Sequence, residues 1–409
     1  MNDLDAKIAR RIIDTVGANG IPPEYGFQFF TVGLDPYLSV IEDEYLSSYI
    51  RQGGSAFKMV VGVYGGGKTH FLYSVRDLAW KNNFVVSYVS LSPGESPFHR
   101  LELVYRAIVK GLAAPLTPDE LLSGYEQGIV TFLRSWFSTK YQEFSDKGLS
   151  GDELRQALLN HAAGLQGIES ISFAKAVKSA FCALLDKQED KFVNICQWLS
   201  GEGYDRRTHG RYDILQRIDR TTAFPMIRSL TQWIREIGYS GLVILLDEAE
   251  RLPSLSTKQR EQHLNNLREV IDECSHTNFQ GVMIFYAVPD ENFLEGRAQI
   301  YEALKQRLAT VFDTVNPTGV KIELEKLSTE PIVFLEEVGD KLKQIYEVAY
   351  SHSFDRDASE ETIRTIAKAA YEQRFGDIGY KRLFVQKAIQ GLHFLKINGH
   401  PPSLRDLQM

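Results

Sequence analysis

Eight residues, Gly62-Val63-Tyr64-Gly65-Gly66-Gly67-Lys68-Thr69, put glycines, a lysine and a hydroxyl at a spacing that suits a phosphate ligand. Glycines at Gly62, Gly65, Gly66 and Gly67 let successive backbone N–H groups turn inward around phosphate oxygens. A helix that starts at Lys68 would add the positive end of its dipole. In such a loop Lys68 neutralises β- and γ-phosphate oxygens, Thr69 ligates Mg²⁺, and His70 follows directly in the same cofactor-binding stretch. The β-favouring run Phe57-Lys58-Met59-Val60-Val61 leads into the glycines, and helix-compatible sequence runs from Lys68 to about Trp80. Strand, loop and helix agree, so the stretch is read as a P-loop that takes a nucleotide with Mg²⁺.

Binding a phosphate is not hydrolysing it. Asp247 and Glu248 close the continuous apolar run Gly241-Leu242-Val243-Ile244-Leu245-Leu246, the pattern of a strand buried on both faces of a parallel sheet. The carboxyl end of such a strand lies beside the P-loop, so Asp247 is expected to hold Mg²⁺ through water and Glu248 to orient and deprotonate the attacking water. The pair has the spacing of a Walker B motif. Two acids at a strand end also begin many surface turns, but a P-loop in the same chain favours the chemical reading.

The elements that must carry these groups follow from periodicity. Strands are expected at Phe57–Val61, Phe84–Leu91, Gly241–Glu248, Gly281–Val288 and, at an edge, Gly319–Leu324. This makes an α/β core with a five-stranded parallel sheet joined by helical crossovers. Between the second and third of these strands, helical periodicity dominates from Pro115 to about Ser240, with Ser150-Gly151-Asp152-Glu153 read as a capping box. The expected units are residues 1–112 (first part of the core), 113–240 (helical insertion), 241–326 (second part of the core) and 327–409 (C-terminal helical lid). Upstream of the P-loop strand, Phe29, Phe30 and Val32 either line a base pocket or only cover the sheet edge.

Composition narrows the setting. The 409 residues are 44% hydrophobic, enough for a large buried core, and carry a net charge of −7. That balance argues against coating nucleic acid through overall charge, so any DNA contact must be local. Cys182, Cys196 and Cys274 show neither CxxC spacing nor a partnering histidine pattern, so neither a disulfide framework nor a zinc site is expected. The first residues lack an apolar signal region and no stretch of about 18 apolar residues occurs, so a cytoplasmic protein without a membrane partner is expected.

Taken together, Phe30-Thr31-Val32-Gly33-Leu34-Asp35, Gly65-Gly66-Gly67-Lys68-Thr69, Pro97–Tyr105, Leu245-Leu246-Asp247-Glu248-Ala249-Glu250, Gln306-Arg307-Leu308 and Arg382-Leu383-Phe384 resemble the AAA+ ATPases with an origin-recognition-like core. The closest resemblance is to the P-loop ATPases of bacterial BREX phage-defence systems, the BrxD type. It covers nearly the whole chain, specifically in the two Walker motifs and loosely in the helical insertion. It implies an ATPase that couples ATP state to double-stranded DNA or to protein partners of a defence complex, and it allows a homo-oligomer. It also implies that Arg382 reads the γ-phosphate from the lid and that Arg307 is presented near a subunit boundary, roles that suit a planar, always-charged guanidinium.

One departure bears on turnover. Where such ATPases place a polar residue at the tip of the fourth strand, this chain reads Tyr286-Ala287-Val288-Pro289; Tyr286 could offer a hydroxyl, Val288 cannot, and Asp290 and Asn292 lie beyond the proline. Hydrolysis is therefore expected to be slow or partner-stimulated, and the alternative is a nucleotide-gated scaffold that binds ATP and hardly hydrolyses it. Arg206, Arg207, Arg211, Arg217 and Arg220, with His209, form the densest basic run, interleaved with Asp205, Asp213 and Asp219. The run either contacts DNA phosphates or is a solvated face with internal ion pairs, the latter favoured by the interleaved acids. His70 and His99 have no second metal ligand at useful spacing and are expected to pack or hydrogen-bond.

Overall fold

The computed structural model describes residues 4–248, 255–276, 278–290, 299–326, 330–374 and 379–409. Six strands form one sheet: β1 (Ser55–Val61), β2 (Val85–Ser90), β3 (Leu112–Ala113), β4 (Leu242–Asp247), β5 (Val282–Val288) and β6 (Lys321–Glu323). Their spatial order is β3-β2-β4-β5-β1-β6. Every neighbouring pair is parallel except β2 with β3. The expectation of five parallel strands is thus corrected to six, with β3 an antiparallel addition at the edge.

Two residues are too few to show a period, which is why β3 is invisible in the sequence. Its position depends on Gly111, where a Cβ would stand 2.6 Å from the Tyr88 carbonyl oxygen. Only glycine lets the chain leave helix Leu101–Lys110 this close to the β2 backbone.

The apolar runs are buried on both faces, alternately. Leu242, Ile244 and Leu246 of β4 face one core with Ile284 and Tyr286 of β5, while Val243 and Leu245 face a second core with Phe285, Phe71 and Val75. The first core continues without a break into the segment between β3 and β4. There, helices Ile129–Asp146, Gly151–Ala163, Ile171–Leu185, Glu189–Leu199 and Ala223–Glu236 bury Trp136, Phe173, Phe181, Trp198 and Trp233. Ser150 begins its helix without a side-chain cap, correcting the capping box expected there. Gly151 takes φ 54°, which spoils the box. Complete capping boxes occur instead at Thr117 with Glu120 and at Ser256 with Gln259.

A third core is made by helices Pro331–Tyr350, Arg356–Glu372 and Tyr380–Asn398. The first helix of the chain, Ala6–Asn19, packs Ile12, Ile13 and Val16 into it, together with Phe27 and Phe30. Both ends of the chain therefore meet in one cluster. It stands against the glycine loop through Gly379, where a Cβ would lie 1.8 Å from the Tyr64 carbonyl oxygen.

Candidate functional site

The glycine loop runs from the end of β1 to helix Lys68–Lys81. Gly65 and Gly67 have φ 71° and 97°, conformations open to glycine at little cost. Gly66 N–H donates to the Val63 carbonyl at 2.9 Å, and Gly62 N–H to the Val288 carbonyl at 3.1 Å, which ties the loop to the tip of β5. Lys68 is buried, with Nζ 2.9 Å from the Gly62 carbonyl oxygen and 3.2 Å from that of Val63. Its ammonium thus lies folded into the loop.

Register brings the acids alongside. β4 pairs with β2 so that Asp247 stands opposite Ser90. Asp247 is 2% exposed, and its Oδ2 accepts from Thr69 Oγ1 at 2.8 Å and from the Tyr88 hydroxyl at 2.6 Å. Its Oδ1 accepts from the Glu248 N–H at 2.8 Å. Burial, reinforced by the Asp247 carboxylate, pushes the Tyr88 phenol far up, so it remains a donor. Glu248 adopts φ 59°, a strained conformation for a non-glycine residue, and its carboxylate accepts from Ser90 Oγ.

An apolar cleft with about 880 Å³ of atom-free space, partly open to solvent, adjoins the loop. Phe30, Val32, Leu34, Phe334 and Val338 line it, with Gly65, Gly66, Gly67, Lys381 and Arg382 on the loop side. Phe30 and Val32 are therefore cleft residues, whereas Phe29 packs edge-on to Tyr25. His70 also borders the cleft, but its Nε2 is 2.7 Å from Thr31 Oγ1 and its ring lies edge-on to Phe27 and Phe30. Burial holds the His70 pKa down at about 4, so the ring is neutral.

Helix Tyr380–Asn398 places Arg382 beside the loop, its guanidinium 4.7 Å from the centre of the Tyr64 ring and its buried Nε without a hydrogen-bond partner among the described residues. Arg307 is elsewhere. It forms a forked pair with Asp272, 2.7 and 3.2 Å, near the end of helix Thr257–Ser275, which Ser55 Oγ joins at the amino end of β1 through the Cys274 carbonyl. That is the amino end of β1, whereas the glycine loop follows its carboxyl end, so within one chain Arg307 does not join the cluster.

The tip of β5 corrects the hydroxyl suggested for Tyr286. This residue is fully buried and its OH lies 2.8 Å from His263 Nε2, between Phe57 and Phe98. Alternation along the strand turns it into the core. Val288 is also buried, Asp290 is exposed just past the strand, and Asn292, Ala249 and Glu250 lie outside the described residues. His99 sits near Glu248 with its Nδ1 unpartnered among the described residues.

In the basic run, Arg206, Arg207, Arg211, Arg217 and Arg220 are all exposed. The interleaved acids are occupied differently from the internal pairing expected: Asp205 accepts from Thr208 N–H, Asp219 from Thr221, and Asp213 pairs with Lys175. Short aspartates bond to nearby backbone more readily than they reach a neighbouring arginine.

Four residues here were not singled out from sequence: Tyr88, Ser90, Glu325 and Lys381. Ser90 and Tyr88 carried a weak signal, as polar residues at the end of an apolar strand. Glu325 and Lys381 carried none, because only the tertiary fold brings them to the loop.

The architecture is that of a mixed α/β protein whose crevice opens at the carboxyl ends of a mostly parallel sheet, the place where such folds take their ligands. A family model for BREX system ATP-binding proteins, BrxC/D, matches residues 4–403. The chain belongs to this family of ATP-binding proteins of BREX defence systems. Comparison with curated proteins and with solved structures returned no match. Among the described residues no helix is long and apolar enough to cross a membrane.

Proposed function

We propose that the chain is an AAA+ ATPase of the BREX defence system, with a P-loop at Gly62–Thr69, a Walker B pair at Asp247 and Glu248, and a C-terminal lid that carries Arg382. The observation that carries this reading is the 2.8 Å contact between Thr69 Oγ1 and Asp247 Oδ2, which joins the start of the loop's helix to the tip of β4. In this reading the apolar cleft takes the adenine and ribose, the loop N–H groups and Lys68 take the phosphates, and Arg382 meets the terminal phosphate from above.

Mg²⁺ fits the oxygen donors present. Among the described residues no group of three or more His, Cys, Asp or Glu could hold a metal by itself. One buried carboxylate and one hydroxyl suit an ion that keeps waters and takes substrate phosphates as its other ligands. Thr69 and Asp247 would hold it, and it would neutralise developing phosphate charge.

For turnover, Glu248 receives the proton of the attacking water. The Ser90 hydroxyl donates to one oxygen of its carboxylate, Oε2, and a carboxylate has further lone pairs to take that proton. The scaffold alternative is favoured by β5, whose tip offers the water no polar side chain from Tyr286 to Val288. In a homo-oligomer, Arg307 acts on a neighbour's nucleotide after leaving Asp272. The exposed arginines between Arg206 and Arg220 supply local attraction for DNA phosphates.

Nucleotide binding and phosphate release by the parent, Lys68→Ala and Glu248→Gln proteins, with and without double-stranded DNA, test the assignment. Lys68→Ala should lose ATP binding, and Glu248→Gln should keep ATP and lose turnover. Unimpaired binding in the first, or unimpaired turnover in the second, would refute the site. Parent turnover that stays negligible with DNA and partners present selects the scaffold.

A further inference from the structure

Opposite charges meet at the outer wall of the glycine loop. Glu325 lies in the short turn after β6, and Lys381 is the second residue of helix Tyr380–Asn398. A Cβ on Gly66 would stand 2.8 Å from Glu325 Oε1, so a carboxylate closes one side of the loop. The Tyr380 hydroxyl donates to Glu325 Oε2 at 3.0 Å. Lys381 Nζ reaches Glu325 Oε1 at 3.4 Å and the Gly66 carbonyl oxygen at 3.3 Å.

The Lys381 ammonium is loosely held in this arrangement. Both Lys381 contacts are longer than a charge-assisted hydrogen bond prefers, although the side chain is only 13% exposed and lines the cleft. Burial pushes the Lys381 pKa down while Glu325 pulls it up, so the ammonium has given up water for loosely held partners. A triphosphate entering the loop would bring further negative charge toward Glu325. The cation already standing between Glu325 and the loop is Lys381.

We propose that Lys381 contacts nucleotide phosphate and positions the lid: with a triphosphate in the loop its ammonium bridges the phosphates and Glu325, fastening the lid helix and the turn after β6 to the occupied loop. With a diphosphate it stays on Gly66 and Glu325, and the lid is held less tightly. This rests on the reading that the loop binds ATP, and it adds a second basic lid residue beside Arg382 together with an acid that makes the response depend on phosphate charge.

Titration of fluorescent ATP and ADP analogues into the parent, Lys381→Met, Lys381→Arg, Glu325→Gln and the Lys381→Met/Glu325→Gln double variant tests it. Lys381→Met should weaken ATP roughly ten- to a hundredfold, the range of a charge-assisted hydrogen bond, and ADP by less than about threefold. Lys381→Arg should restore most of the ATP preference, and Glu325→Gln should tighten ATP about threefold or more by removing a nearby like charge. The double variant should be non-additive. A merely structural role would lower both affinities equally. Lys381→Met with the parent's ATP-to-ADP ratio overturns the proposal while leaving the ATP site standing; a parent that binds neither nucleotide overturns both.

Discussion

Tyr88→Phe removes one oxygen and leaves the ring in place, so it isolates a single hydrogen bond at the centre of the site. The lost donor is the 2.6 Å bond to Asp247 Oδ2, which then keeps only Thr69 on that oxygen, while Oδ1 keeps the Glu248 N–H. A hydrogen bond to a charged group contributes about 1.5–3 kcal/mol, and Asp247, 2% exposed, cannot replace it with bulk water. No cavity forms beyond one hydroxyl, so a stability loss of about 1.5–3 kcal/mol is expected, read as a lower urea midpoint at unchanged slope. The loop and Lys68 are untouched, so metal-free ATP affinity should not change. The additional affinity gained with Mg²⁺ should fall about three- to tenfold, because the carboxylate that would hold the ion is less well oriented. Loss of metal-free and Mg²⁺-supported binding in equal measure, or a variant as stable as the parent, would refute the role assigned to Tyr88.

Gly379→Ala should displace helix Tyr380–Asn398 from the glycine loop, since its Cβ would lie 1.8 Å from the Tyr64 carbonyl oxygen; a loss of about 1–3 kcal/mol by denaturant titration is expected. Lys58 of β1 is buried and donates to the Tyr45 hydroxyl and the Pro317 and Gly319 carbonyls, at 2.7, 3.0 and 2.5 Å. Lys58→Met, close in volume, should therefore cost about 1–3 kcal/mol in urea unfolding, because the Gly319 carbonyl loses its donor while the Tyr45 hydroxyl and Pro317 carbonyl keep each other. His70 and His263 are held by burial at about 4 and about 3, below the ordinary 6.5. The folded state then binds fewer protons than the unfolded one, so stability should be full above about pH 6.5 and fall as pH drops toward 4 and below. His70→Phe should flatten part of that loss in thermal melts taken from pH 7 to 4.

Much of the core was legible because its signals are local. The runs at β4 and β5 are apolar almost throughout, as strands covered on both faces tend to be, those at β1 and β2 are apolar but for Ser55, Lys58, Ser87 and Ser90, and each was placed within two residues of its observed ends. The helical character of the long block before β4 and of the C-terminal stretch was legible through periodicity alone. β3 was not, since two residues carry no period and its pairing depends on Gly111 approaching Tyr88. The capping box at Ser150 failed because Gly151 adopts a left-handed backbone there. Tyr286 illustrates a wrong guess of face: strand register, unknown from the sequence, turned its hydroxyl to His263.

The glycine spacing, the lysine and threonine after it, and the two acids after an apolar run pointed to a nucleotide, in line with the ATP-binding family that the chain belongs to, because phosphate recognition by a loop and a helix start is written in consecutive residues. Which groups share that site was decided only by the fold. Parallel pairing set Ser90 and Tyr88 beside Asp247 and Glu248, separated by more than 150 residues in sequence. The packing of helix Tyr380–Asn398 on the loop brought Lys381, Arg382 and Glu325 to Gly65 and Gly66, while Arg307 came to Asp272 near the amino end of β1, away from the loop. Hydrogen bonds and charges act over a few ångströms, and distance along the chain says nothing of such contacts until the sheet order and the packing of the C-terminal helices have brought the residues together.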